Sequence, residues 1–507
     1  MLLTERYQDK IRGAISCYDR LIILGTLPQL CYAAGMTGFL KKQDIRIFDY
    51  PRFAEPLRDA IRNNAERMAQ EQGVNIEFLR KSSFRKEKRI AEIVRQRGSH
   101  PGLVHILSAM ELCPTYKPWH DKSSGKTFLK GDFSKCLHYY FYFIDEELGL
   151  LFVRVPTWCP FRLQFYCNGH NLLAAKLKKR GIEHQLLGNV FTEISDLPQA
   201  QQLADELDIR RLHQRLDEYA QRCCPVLERL GITYHWSLMQ AEYATDIIFK
   251  QQRDLALLYD PLVRTAVHTV KPDHIATFLG RKLDGRYQDE MGNRFSTRLE
   301  GTCVKHHMGP VVIKMYDKLR LVLRIETAAN KPSFFKHHRW VEQKNGQREF
   351  KLAPLKRSIY SLSDLARLLR AANQRYLEFI SEMADPSAGR KLLNKVCEPK
   401  KQQGRSYKGL NFFKAADQKL IEAIARGEFT ISGLRNKDLR RLLPGLSTAQ
   451  ISRRLKSLRL HGLIKRVSRT YKYYLSERGR RVVITGLKLK ELFIIPHLAL
   501  PAPARIS

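Results

Sequence analysis

The chain contains no run of about 18 apolar residues, the length that a membrane-crossing helix requires, so none of its 507 residues reads as a transmembrane span. Met1 to Lys10 lack the apolar core of a secretory signal. The ten cysteines form no tight framework: Cys223 and Cys224 are neighbours, Cys159 and Cys167 lie eight apart, and no C-x-x-C occurs. These absences predict a reducing, cytoplasmic setting without disulfides or structural zinc. Gly125-Lys126-Thr127 lacks the glycine spacing of a G-x-x-x-x-G-K phosphate loop, which excludes nucleoside triphosphate binding there. Negative charge is also scarce. Against 88 Lys and Arg stand 51 Asp and Glu, a net +37, where solubility asks for a magnitude of about 2 to 8 in a small domain. The cations run through the whole chain instead of forming one juxtamembrane cluster, so a membrane surface is excluded and a polyanion is the expected partner. DNA is the first candidate and structured RNA the second.

What is present is ample core material: 44% hydrophobic and 10% aromatic residues, enough for about two to four globular domains. The expected fold class is α+β and multidomain, with an antiparallel-sheet, nuclease-like body, helices, and a helical DNA-binding unit at the C-terminus. Residues 1–100 read as a small α/β unit, with strands over Arg20 to Leu27 and Ile45 to Phe48 and an amphipathic helix over Glu55 to Gln72. Phe78 to Arg89 is a basic burst, either a solvated helix start or, with Phe78 and Phe84 interleaved, a nucleic-acid contact.

Residues 101–200 read as an antiparallel sheet plus a helix. A strand over Leu103 to Leu107 leads into a long polar loop, Cys113 to Asp132. Leu137 to Ile144 and Leu150 to Val155 flank the turn Asp145 to Gly149 as a hairpin, Phe161 to Cys167 adds a strand, and Asn171 caps a helix to Arg180. Such a meander followed by a helix fits ribonuclease-H-like nucleases and nick-and-join initiators alike.

Residues 201–395 hold the expected active centre. Pro198 to Phe249 reads as helical; within it Glu242 and Asp246, four apart on one helix face, sit among apolar residues, either as a wet or paired polar edge or as metal ligands. Glycines between His268 and Arg298 would let backbone approach a phosphate, with Arg281, Lys282, Arg286 and Arg294 supplying charge. Val311 to Met315 and Leu321 to Thr327 read as a hairpin, with Arg324 and Glu326 sharing a face on the second strand and Lys314 and Tyr316 joining it from the first. With Asp317, that set suits phosphodiester chemistry: a Tyr or water attacks phosphorus, carboxylates hold a divalent ion, and cations offset charge on the phosphoryl oxygens. The alternative is a cross-strand salt-bridge ladder, stabilising by about 0.2 to 1 kcal/mol per pair.

The segments K-x-Y-D-K (Lys314, Tyr316, Asp317, Lys318) and L-R-x-E (Leu323, Arg324, Glu326) resemble a strand pair in the replication initiators of plasmids and filamentous phages. The resemblance covers under a tenth of the chain. It implies Tyr316 as the nucleophile or its neighbour and Glu326 and Asp317 as metal ligands; the residue types themselves suggest Lys314 and Arg324 as charge-offsetting groups, Mg²⁺ or Mn²⁺ as the ion, and Glu242 and Asp246 as further ligand candidates. The His-hydrophobic-His motif that many such nucleases carry is absent; His306-His307 and His337-His338 are adjacent pairs.

After a helix over Ser361 to Met383, the polar stretch Cys397 to Lys408 reads as a linker within 396–411. Residues 412–507 then read as helix (Ala415 to Ala425), helix (Asn436 to Leu443), helix capped by Ser447 (to His461), hairpin (Leu463 to Val467, Tyr471 to Leu475) and helix from Glu477. The runs STAQISRRLKSLRLHGLIKR and YYLSERGRR resemble the winged-helix domains of bacterial repressors. The resemblance implies duplex DNA binding, with Thr448, Gln450, Arg453, Arg454 and Lys456 at the major groove and Arg466, Arg469 and Lys472 on the wing. The expected function is a nucleic-acid-binding protein of a mobile element or plasmid, a metal-dependent nicking or strand-transfer enzyme; the alternative is a non-catalytic regulator of DNA or RNA.

Overall fold

A computed structural model describes residues 2–80, 84–281, 295–343, 345–383, 395–426, 429, 433–467 and 470–488. The protein is α+β and divides into two compact units, one of Met1–Ala14, Thr245–Thr327 and Leu368–Ser507, the other of Ile15–Ala244 and Ala328–Arg367.

The second unit is built on a mixed sheet. Its strands are β1 (Ile11–Thr26), β2 (Ile76–Phe78), β3 (Gly102–Asp121), β4 (Lys126–Asp145), β5 (Gly149–Pro156) and β6 (Leu163–Cys167). A hairpin of β7 (His184–Leu187) and β8 (Val190–Ile194) stands apart, and β9 (His235–Phe249) enters the sheet beside β1. The order is β9-β1-β6-β5-β4-β3-β2, with β2 parallel to β3 and the β1–β6, β3–β4, β4–β5 and β5–β6 pairs antiparallel. The expected hairpin around Asp145 to Gly149 is there: the Asp145 carboxylate accepts from the backbone N–H groups of Glu147 and Leu148, and Gly149 takes φ 66°, a conformation glycine adopts without a Cβ clash. On helix Tyr50–Glu71, Ala54, Leu57, Ile61, Ala65 and Met68 recur at three and four residues and are all buried.

Several expectations fail here for identifiable reasons. Ile47–Asp49 is a 3₁₀ turn, because only Ile47 has a core to enter and the chain bends at once into the helix from Tyr50. The stretch Cys113 to Asp132 is no loop: it forms the outer halves of β3 and β4, paired in register to Asp121↔Lys126. Its exposed polar residues hide the strand period. The helix after β6 is capped by Asn168, whose Oδ1 accepts from the N–H groups of His170 (2.9 Å) and Asn171 (3.3 Å), so Asn171 lies inside it. Of the stretch expected to be helical, Leu197–Asp205, Ile209–Cys223 and Val226–Leu230 are helices, but His235–Phe249 is strand and not helix. From Ala241 to Phe249 all residues but Thr245 are buried, so with both faces covered the pattern cannot report its period.

The first unit carries β10 (Phe295–Glu300), β11 (Cys303–Met308), β12 (Val311–Lys318) and β13 (Val322–Ala329), in the order β10-β11-β12-β13 with the C-terminal end of β9 next. β13 is buried at every position. The turn between β12 and β13 places Leu319 and Arg320 at φ 56° each, so Tyr316 sits inside β12 and not at the hairpin end. In the second unit, β14 (Lys336–Glu342) pairs with β15 (Arg348–Pro354); back in the first, β16 (Lys400–Gln402) pairs with β17 (Arg405–Tyr407) inside the stretch expected to be a linker.

The C-terminal elements are helices Ala415–Ile424, Asn436–Leu442 and Thr448–Leu460, a hairpin of β18 (Ile464–Arg466) and β19 (Tyr473–Leu475), and helix Glu477–Lys488. Ser447 and Gln450 form a reciprocal cap, each side chain accepting from the other's backbone N–H. Ile451, Leu455 and Leu458 are 0 to 3% exposed and pack with Leu420, Leu439 and Leu463. Each such burial contributes about 1.5 to 3 kcal/mol.

Candidate catalytic cluster and nucleic-acid interface

The cluster in the first unit is built by strand alternation. Lys314 and Tyr316 are two apart on β12, hence on one face, and β13 presents Glu326 to that face. Lys314 Nζ lies 2.6 Å from Glu326 Oε1, and the Tyr316 hydroxyl donates to Oε2. Glu326 is 1% exposed and Lys314 and Tyr316 are half-buried, so the ammonium and phenol hold the carboxylate from the wetter side. Lys318 places its ammonium 5.9 Å from the Tyr316 ring centre. A buried carboxylate touching a phenolic proton can accept it, and a neighbouring cation can offset charge on a bound phosphate.

Three members of the expected set, Arg324, Asp246 and Asp317, do other work. Arg324 and Asp246 form a two-pronged pair, Nε to Oδ1 and Nη2 to Oδ2 at 2.6 Å each, with neither side chain exposed. A guanidinium held this way is internal structure and not a surface phosphate clamp. Asp317 follows Tyr316 in the strand and faces the other side, where Thr302 Oγ1 donates to it at 3.2 Å. Glu242 belongs to the second unit, is 9% exposed, and accepts from Gln240 Nε2 at 2.9 Å. It shares a face with Asp246 after all, but through the two-residue period of a strand and not the turn of a helix.

Asp19, on β1 in the second unit, escaped the sequence reading. It is 7% exposed, accepts from Asn189 Nδ2 at 2.6 Å and Asn168 Nδ2 at 3.4 Å, and lies 3.1 Å from His170 Nδ1. The signal was an acid inside the apolar run around Arg20 to Leu27, since burying a carboxylate demands dedicated partners.

In the C-terminal elements, Thr448, Gln450 and Arg453 are exposed on the helix whose other side is the core stripe. Arg454 is turned inward: Nη1 lies 2.7 Å from Oδ1 of the buried Asp417. Lys456 Nζ is 5.3 Å from the Tyr407 ring centre. On the hairpin, Arg466 Nε donates to the Thr470 carbonyl at 2.7 Å and its guanidinium lies 5.2 Å from the Tyr471 ring, while Lys472 is half-buried. Arg281 is half-buried beside helix Pro272–Phe278, its N–H donating to the Ala276 carbonyl. Lys282, Arg286, Arg294 and Arg469 lie outside the described residues.

No family model matches the chain, and no curated protein matches it. Among solved structures, a class II 3-hydroxy-3-methylglutaryl-CoA reductase from Streptococcus pneumoniae, bound to NADPH in open conformations, is similar at 10% identity over 88% of this chain and 78% of that one, with a TM-score of 0.18. A likeness that low carries no argument about fold or activity.

Proposed function

We propose that the protein is a DNA-binding protein of a mobile element or plasmid, and that its C-terminal elements act as a winged helix-turn-helix on duplex DNA. The observation that carries this reading is the division of helix Thr448–Leu460: Ile451, Leu455 and Leu458 are consumed by the core, while Thr448, Gln450 and Arg453 face solvent next to Lys456. A helix whose free face bears hydrogen-bonding and cationic side chains suits the major groove, and the net +37 supplies the sequence-independent attraction to phosphates. The test is duplex binding by the full chain across a salt series. Affinity should fall steeply with salt, and Arg453→Ala with Lys456→Ala should weaken it. Unchanged binding in the double variant, or displacement by structured RNA but not by duplex, refutes the reading.

A second reading, that the protein also nicks or transfers strands, is favoured by the contact of Tyr316 and Lys314 with Glu326. In it the Tyr316 oxygen bonds to phosphorus as the bond to the departing sugar oxygen breaks, and Glu326 takes the phenolic proton; alternatively a water attacks. Mg²⁺ or Mn²⁺, for which Glu326 is the carboxylate we retain as a ligand candidate, would supply Lewis acidity when bound. Tyr316→Phe then abolishes a covalent protein–DNA adduct, and Glu326→Gln abolishes cleavage by either route. Full cleavage in Glu326→Gln, or no metal-dependent cleavage of any nucleic acid, leaves the non-catalytic regulator.

A further inference from the structure

The β14–β15 ribbon of the second unit is turned inside out. In an ordinary two-stranded ribbon the apolar face packs inward and the polar face meets water. Here the half-buried or buried side chains are the odd-numbered ones of the ribbon's middle, among them His337, Arg339, Lys351 and Ala353. His337 is anchored by its Nδ1, 3.6 Å from Asp364 Oδ2. The even-numbered face carries Trp340 at 64%, Phe350 at 56% and Leu352 at 55% exposure. The register makes that face continuous: Trp340 lies opposite Phe350, His338 opposite Leu352, and Glu342 opposite Arg348. Trp340 and Phe350 are 5.5 Å apart between ring centres, and His338 stacks on Phe350 at 5.9 Å with 25° between planes. Lys336 and Arg348 are exposed on the same face, at its two ends.

Two large rings held in water oppose the general drive to bury about 150 to 250 Å² of aromatic surface each. With Lys336 and Arg348 against the single carboxylate of Glu342, the face is net cationic, and a cover that fits presents flat apolar faces together with negative charge. The faces of nucleic-acid bases do this, and they are accessible in a single strand but hidden in a duplex stack. We propose that the exposed face of β14–β15 is a stacking platform for single-stranded nucleic acid: bases lie on Trp340 and Phe350, and Lys336 and Arg348 meet the backbone phosphates at either end. Trp340 and Phe350 share one rung of the ribbon, and the next same-face rung, His338 with Leu352, follows about 6.6 Å along it, so successive splayed bases meet adjacent rungs. This platform is distinct from the C-terminal helix and from the cluster at Glu326, and does not depend on either.

The experiment titrates the full chain with a short oligothymidylate, following tryptophan fluorescence, alongside a duplex of matched length. Binding should quench the fluorescence. Trp340→Ala and Phe350→Ala should each weaken oligothymidylate binding about five- to a hundredfold, the range expected for loss of one stacked base, while Trp340→Phe largely restores it. Thermal unfolding should be unchanged, because both rings are already in water. Duplex affinity should not move either. If Trp340→Ala with Phe350→Ala leaves oligothymidylate affinity intact, the platform is refuted. If the chain binds duplex but no single strand, the platform falls while the duplex-binding reading stands; single-strand binding without duplex binding gives the reverse. If the double variant only turns a dimer into a monomer by light scattering, the face is a self-association surface and the proposal is overturned.

Discussion

Arg324 on β13 and Asp246 on β9 meet through two contacts of 2.6 Å, and both side chains are 0% exposed. The geometry decides between two uses of the same residues. A ladder on a wet sheet face is worth about 0.2 to 1 kcal/mol per pair, whereas removing one partner of a buried pair costs about 3 to 5 kcal/mol, because the other charge is left without compensation. Arg324→Met should therefore lower the urea midpoint markedly, and Arg324→Met combined with Asp246→Leu should recover most of the loss. A single variant as stable as the parent contradicts this role.

The histidines predict an acid limb. Burial, followed by the neighbouring His307, pushes His306 down to about 3; its ring nitrogens lie 2.9 Å from Thr297 Oγ1 and 3.1 Å from the Tyr376 hydroxyl. Burial, with Arg154 next, pushes His138 down to about 4. An unfolded histidine titrates near 6.5, so below that pH the unfolded chain takes up protons that the folded chain refuses. Stability from these groups is complete above about pH 6.5 and declines as pH falls toward 4 and then 3. Urea midpoints measured from pH 7 to pH 4 should drop, and His138→Asn should flatten the slope; an unaltered slope rules out His138 as a source.

Glu111 behaves differently. Burial works to raise its carboxyl, but the Tyr140 hydroxyl at 2.6 Å, Arg154 at 2.9 and 2.7 Å and Lys86 at 3.1 Å outweigh burial and bring it to about 2. Its folded value is depressed, so its contribution is present above about pH 4.5 and is lost as pH falls toward 2. Glu111→Gln should destabilise by about 1 to 3 kcal/mol at neutral pH, with the gap to the parent narrowing below pH 4. A gap independent of pH refutes the charge-based account.

How much was legible follows from where the information lies. The helix Thr448–Leu460 and its cap are written locally: Ser447, Gln450 and the Ile451–Leu455–Leu458 spacing sit within a dozen residues. The sheets are not local. Leu21 pairs with Cys167, and the capping Asn168 is distinguishable from Asn171 only once β6 is known to end at Cys167. β13, buried on both faces, carries no alternation at all. The cluster was half legible: alternation correctly joined Lys314, Tyr316 and Glu326, but the Asp246 partner of Arg324 lies 78 residues away in sequence. The ribbon face with Trp340 was missed because a strand period says which residues share a face and not which face is covered.

Arg453 and Arg454 are neighbours with opposite assignments, which separates fold from recognition in the C-terminal elements. Arg453 is exposed, while Arg454 reaches back to Asp417, itself 3% exposed and also accepting from the Asn411 backbone N–H at 3.0 Å. Removing the Arg454 guanidinium strips a cation from a buried carboxylate; Arg454→Ala should therefore cost stability, by about 1 to 3 kcal/mol given that Arg454 is partly solvated. Its loss of duplex affinity should be recovered at temperatures where the variant is fully folded. Arg453→Ala should leave unfolding within about 0.5 kcal/mol of the parent and weaken duplex binding at every temperature, with a shallower salt slope. Thermal unfolding and salt-dependent duplex titration on the two single variants read these outcomes, and an Arg454→Ala variant that is fully stable yet binding-deficient would reverse the assignment.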